Sequence, residues 1–123
     1  MDDELFNRGL AVRREVVGDA TLRSSSKFDL PMHEMVTKYV WGDVWSRPGL
    51  DRQFRSMLNI GMLAALNRPD ELATHIRGAL NNGLTEEQIQ EALLQVALYC
   101  GMSSGLCAFR VARRVMEERE QQG

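Results

Sequence analysis

The sequence predicts an all-α fold, a compact helical bundle of about six helices. Two observations point there. Alternating apolar and polar residues with β-branched character are almost absent, while apolar residues recur at helical spacing. Helix start and stop signals also punctuate the chain at short intervals: Leu30-Pro31, Pro69, Asn81-Asn82-Gly83 and Thr85-Glu-Glu-Gln88. A length of 123 residues then favours one domain spanning 1–123, with one modest core.

The first helix is expected from Asp3 to Val17, its acidic start complementing the helix dipole. A polar loop follows from Thr21 to Lys27. Pro31, at or near the first helical position, opens a second helix. Its Met32, Met35, Val36, Tyr39 and Val40 form one apolar stripe, read as the face turned to the core. Asp51 can cap a third helix, Arg52 to about Leu66, that is apolar nearly all round from Met57 onward. Pro69 starts a fourth helix, which Gly83 ends from the position just past its last turn. Thr85 and Gln88 make a capping box for a fifth, apolar on most sides from Ala92 to Cys100. Ser103 or Ser104 can cap a sixth, ending near Glu118. The seven methionines read as core filler and Cys100 as a small buried apolar residue.

Two helices apolar on most sides are more than one small domain covers by itself, so part of this surface is expected to meet another subunit of a symmetric homo-oligomer. Net charge is −2, which gives no footprint for nucleic acid. The apolar runs are too short for a membrane span, and the acidic N-terminus is unlike a secretion signal. Cys100 and Cys107, seven apart, form neither a CxxC motif nor a secreted framework. Cytoplasmic residence with free thiols is the simplest expectation.

Six residues are candidates for chemistry. His75 sits at the edge of the apolar face made by Leu72, Ile76, Ala79 and Leu80, where an imidazole can act as acid or base; pairing with Glu71 is the plainer reading. Glu34 points away from the methionine stripe and can pair with Lys38. Trp41, seven residues on, falls on the same side of an ideal α-helix, and a carboxylate beside tryptophan suits proton transfer. Arg55 can pair with Asp51 or grip a substrate carboxylate bidentately, and Arg47, beside Pro48, has the same two options. Trp41 and Trp45 lie together in WGDVWSRPGL, residues 41–50. His33 and His75 have no carboxylate or cysteine at ligand spacing, so no metal site is expected.

Glu34 with Val36-Thr37, WGDVWSRPGL, Arg55-Ser56, Glu71-Leu72 with His75, Asn82-Gly83 and Tyr99-Cys100-Gly101 together resemble the carboxymuconolactone decarboxylase family, over about Asn7 to Arg113. The resemblance implies an all-α homo-oligomer, commonly a hexamer. It also implies a cofactor-free reaction on a small dicarboxylate lactone: loss of CO2 from 4-carboxymuconolactone in the β-ketoadipate route of aromatic breakdown. In that case Arg55 and Arg47 would hold carboxylates, and His75 would stabilise the enolate or donate the proton. Glu34 would orient His75 or act as the acid, while Trp41 and Trp45 would wall the site. Family members that reduce hydroperoxides carry a CxxC pair; the matching NRPDELATH, residues 67–75, has no cysteine, and Ser56 stands where such members tend to carry glutamate. Departures from the decarboxylase pattern occur at Ser103-Ser104, where Pro-Ala is expected, and at His33, where glutamine is usual. A related lactone or enol isomerase, a lactonase, a thiol peroxidase or disulfide reductase using Cys100 and Cys107, and a non-catalytic oligomeric partner are the competing readings.

Overall fold

A computed structural model describes residues 2–22 and 26–123. All regular structure among them is helical: α1 Asp2–Val17, α2 Leu30–Met35, a π-helix Val36–Val44, α3 Arg52–Ala65, α4 Pro69–Asn81, α5 Glu86–Cys100 and α6 Met102–Gln122. Short 3-10 turns at Asp19–Thr21 and Lys27–Asp29 occupy both ends of the expected polar loop, whose centre, 23–25, lies outside the described residues. The chain divides into two compact units, 1–52 and 53–123.

In the first unit, α1 packs along the π-helix through glycine on both sides. A Cβ on Gly9 would collide with the Thr37 carbonyl, and one on Gly42 with the Leu5 carbonyl. Backbones this close leave room for cross-helix polar links. Arg8 Nε donates to the Gly42 carbonyl at 2.9 Å, and Arg13 Nη1 to Thr37 Oγ1 at 3.0 Å. Val12 and Val16 of α1 complete the small core with Trp41 and Trp45, which are only 3% and 5% exposed.

The second helix departs from expectation in two linked ways. It begins as an α-helix but continues as a π-helix, with the Trp45 amide donating to the carbonyl of Val40, five residues back, at 2.9 Å. Its buried face is Thr37, Trp41, Gly42 and Trp45, while Met32, Met35, Tyr39 and Val40 are exposed. Offsets of four, five and eight suit a helix of about 4.4 residues per turn, not 3.6. Four of the five residues of the expected core stripe therefore lie on the outer face, while Val36 packs half-buried against the core.

The second unit builds its core from all four of its helices. Ile60 and Ala64 of α3 meet Leu72, Ile76 and Ala79 of α4, Ile89, Leu93 and Val96 of α5, and Ala108, Val111 and Val115 of α6. The end of α4 follows its sequence signal. Gly83, at φ 97°, donates its N–H to the Leu80 carbonyl at 3.1 Å, and Leu84 donates to Ala79 at 3.0 Å. Buried Leu84 secures that turn. The Thr85–Gln88 capping box forms as read, with both reciprocal bonds present. The serine cap of the last helix does not: α6 starts at Met102 directly after Gly101, which places Ser103 and Ser104 inside its first turn, and it runs on to Gln122.

Exposure agrees with one expectation and corrects two. Phe54, Leu58 and Met62 of α3, with Leu66 just past its end, face outward at four-residue intervals, as do Leu94, Leu98 and Tyr99 of α5. Both helices thus keep apolar surface that this chain does not cover, as their pattern implied. Met32, Met35, Met62 and Met102 are exposed, so most of the described methionines are not core filler. Cys100 is exposed as well, as is Cys107.

Candidate active site

The chemistry-bearing residues of the first unit sit on the π-helix and its flanks. Glu34 is exposed and meets Lys38 at 3.9 Å, the plain pair expected from i,i+4 spacing. Arg47 is held by Asp43, its Nε donating to Oδ1 at 3.1 Å and its Nη2 to Oδ2 at 3.3 Å. Trp41 and Trp45 stack with centroids 4.8 Å apart at 32° inside the core. The wheel that put Trp41 on the Glu34 side assumed roughly 100° per residue; a π-helix turns roughly 80°, so the carboxylate is outside while the indole is inside. Arg13, unnoticed in the sequence, is half-buried here, and desolvation lowers its pKa from the usual arginine value.

In the second unit, His75 is the group whose environment departs most from water. It projects from α4 toward α3, where the Asn59 carboxamide nitrogen lies 3.3 Å from its Nδ1. Burial disfavours the charged ring and lowers its pKa from 6.5 to about 4, so the imidazole is neutral at physiological pH. Arg55 is half-buried on α3, four residues before Asn59, a spacing that puts the two positions on one face of that helix. Ser56, fully buried beside Arg55, accepts from Asn82 Nδ2 at 2.9 Å, and Gln53 Nε2 donates to the Asn82 carbonyl at 3.0 Å. These bonds tie the end of α4 to the first turns of α3 and fix the spacing of the two helices that carry Arg55 and His75.

The structure thus brings His75 together with Asn59, and Trp41 with Trp45. Asn59 was missed in the sequence, yet the signal was there: it is the one polar residue in MLNIGMLAAL, residues 57–66. His75 does not line either of two hollows of the second unit. One of about 330 Å³ is lined by Met57, Gly61, Val96, Tyr99 and Cys100, the other of about 260 Å³ by Ile89, Leu93, Phe109 and Met116. Among the described residues no group of three His, Cys, Asp or Glu side chains is placed to hold a metal ion, and no described helix is long and apolar enough to cross a membrane.

A small all-helical chain with a desolvated neutral histidine, and an arginine one turn from that histidine's partner on the neighbouring helix, is the class of protein these features define. The sequence model of the carboxymuconolactone decarboxylase family matches residues 31–114, and the chain belongs to that family. It is similar to the nitrosuccinic acid decarboxylase of Metarhizium robertsii, 41% identical over 97% of this chain and 86% of that protein. It is also similar to the 4-carboxymuconolactone decarboxylase of Acinetobacter baylyi, 36% identical over 95% of this chain and 90% of that protein. A third relative, an uncharacterized 15.0 kDa protein of Paracoccus denitrificans, is 31% identical over 67% of this chain and 63% of its own length.

Proposed function

We propose that this chain is a cofactor-independent carboxy-lyase that removes CO2 from 4-carboxymuconolactone and yields the β-ketoadipate enol-lactone. The observation that carries the reading is His75: a neutral, desolvated imidazole paired with Asn59, one turn along α3 from Arg55, in a chain similar to two decarboxylases. The substrate supplies its own electron sink. Electrons of the breaking C–C bond pass through the ring double bond into the lactone carbonyl, so the protein has to hold the carboxylates, stabilise the oxygen that gains charge, and see a carbon protonated. Arg55 is suited to the first task by its planar fork. His75 is suited to the second, because a fixed hydrogen-bond donor in a dry place stabilises developing charge better than water does.

The remaining candidates keep narrower proposed parts. Glu34 is the proposed acid or orienting carboxylate, and Arg47 a second carboxylate ligand. Trp41 and Trp45 are proposed to wall the site and keep water from it; within this chain both rings pack into the first unit's core. The outward apolar stripes support a homo-oligomer, which we propose is a hexamer.

A second substrate is favoured by a specific observation, the 41% identity to the nitrosuccinic acid decarboxylase. Nitrosuccinate presents the same problem to a protein: a dicarboxylate in which one carboxyl leaves and an adjacent group takes the electrons onto oxygen. The test is to follow CO2 release from each compound separately, with chelator present, for the wild type and for His75→Gln. Turnover of 4-carboxymuconolactone that His75→Gln lowers by on the order of 10²-fold supports the proposal. Turnover of nitrosuccinate alone moves the assignment to that substrate, and turnover of neither overturns the reading.

A further inference from the structure

Asn59 has no role in the reading so far, yet its geometry bears on what His75 can do. The carboxamide nitrogen, Nδ2, carries two hydrogens and no acceptor lone pair, so facing an imidazole nitrogen it donates. It faces Nδ1 at 3.3 Å. A neutral imidazole has one N–H, and if Nδ1 accepts, the hydrogen is on Nε2. We propose that Asn59 is a positioning residue that fixes His75 as the Nε2–H tautomer, so that the ring meets the substrate as a hydrogen-bond donor. The proposal rests on the reading above that His75 faces the developing anion.

The consequence is a division of labour. A neutral imidazole that gave its proton away outright would become imidazolate, an anion far too basic to form here. His75 therefore stabilises the charged oxygen without losing its proton, whether that oxygen belongs to a lactone enolate or to a nitronate. The balance is simple: the C–C bond breaks, its electron pair moves to the acceptor oxygen, CO2 leaves, and a proton derived from solvent ends on carbon. That proton reaches the carbon through a group other than His75. The helix pair is built for such a fixed donor. Ile60 next to Asn59 and Ile76 next to His75 are fully buried, which pins both backbones, and the Ser56–Asn82 bond closes the same seam.

The experiment reads the tautomer without substrate. The chain has two histidines, so two-bond 15N–1H correlation of the imidazoles in the full-length protein at neutral pH gives two patterns, with His33→Gln assigning them. His75 is expected to show a protonated Nε2 and a bare Nδ1. Asn59→Asp replaces the donor by an acceptor, so Nδ1 is expected to become protonated. With turnover measured on whichever substrate the wild type accepts, kcat should fall by on the order of 10²-fold while KM changes by less than about threefold. A thermal midpoint close to wild type separates this loss from misfolding. A wild-type His75 protonated on Nδ1, or an Asn59→Asp variant with an unaltered ring pattern, overturns the proposal. The expected ring pattern in a wild type that turns over neither substrate overturns the functional reading and leaves the tautomer assignment standing.

Discussion

His75 links stability to pH because burial lowers its pKa to about 4, while the ring in the unfolded chain titrates near 6.5. Between these values the unfolded state binds a proton that the folded state refuses. The histidine's contribution is therefore at its best above pH 6.5 and declines as pH falls toward 4. At roughly 1.4 kcal/mol per pKa unit the whole effect is about 3 kcal/mol, of which about 2 kcal/mol falls between pH 7 and 5. Urea unfolding of wild type and His75→Gln at both pH values checks this: the wild type should lose about 2 kcal/mol more than the variant over that interval. Equal losses would show that the ring titrates normally. Arg55 gives a second expectation. Lysine keeps the charge but not the bidentate fork, so Arg55→Lys should raise KM for the dicarboxylate by roughly tenfold, with a smaller change in kcat. The position of His75 at the rim of Leu72, Ile76 and Ala79 was legible because α4 is a regular helix whose pattern states its buried face. The Asn59 partner was not, since which residue of α3 faces α4 depends on packing that one helix's period does not encode.

At the scale of elements, the first unit depends on how near α1 comes to the π-helix. Gly9 and Gly42 allow that approach, and it positions Thr37 for Arg13 and both tryptophans for Val12 and Val16. Gly9→Ala inserts a Cβ into the Thr37 carbonyl, and because the obstacle is backbone it cannot turn aside. The loss should be about 3 kcal/mol, read as a lowered midpoint in thermal or urea unfolding, with a matching loss of the near-ultraviolet signal of Trp41 and Trp45. A wild-type midpoint in Gly9→Ala would mean that the two helices sit further apart. The π-helix explains why this unit was the hardest to read. WGDVWSRPGL announced two tryptophans, and roughly 3.6 residues per turn puts Trp41 on the side of Glu34. The wider turn, about 4.4 residues instead of roughly 3.6, rotates the positions after Met35, so the indoles face inward on a side that an α-helical wheel does not give, while Met32, Met35, Tyr39 and Val40 face outward. The second unit was legible at its joints, where chemistry is local: the Gly83 turn and the Thr85–Gln88 box need no knowledge of distant packing. The sixth helix was misjudged at its start because Gly101 stops α5 and begins α6 without a side-chain cap.

For the molecule as a whole, the apolar pattern in the sequence marked surfaces that are destined to be covered without saying what covers them. Phe54, Leu58 and Met62 of α3, with Leu66 just past its end, repeat every four residues and all face outward, along a helix whose opposite face, Ile60 and Ala64, is fully used by the core. A contiguous apolar surface of this kind is characteristic of a subunit contact. The expected outcome is that light scattering behind size exclusion gives a mass that is a multiple of the 13.9 kDa chain. Leu58 is the residue to vary, because at 54% exposure its replacement leaves the chain's own core intact. Leu58→Glu places a carboxylate on this outward face, and burying it without a partner should weaken association by roughly 3 kcal/mol, about 100-fold in Kd. The variant should elute as smaller species at micromolar concentration with an unaltered far-ultraviolet helical spectrum. If the assembly also completes the site, activity per chain should fall with dilution in step with dissociation, and more steeply for Leu58→Glu than for wild type. A wild type that runs at the mass of one chain would refute the subunit contact, and a Leu58→Glu assembly of unchanged mass would place it on the Leu94–Leu98 face of α5 instead.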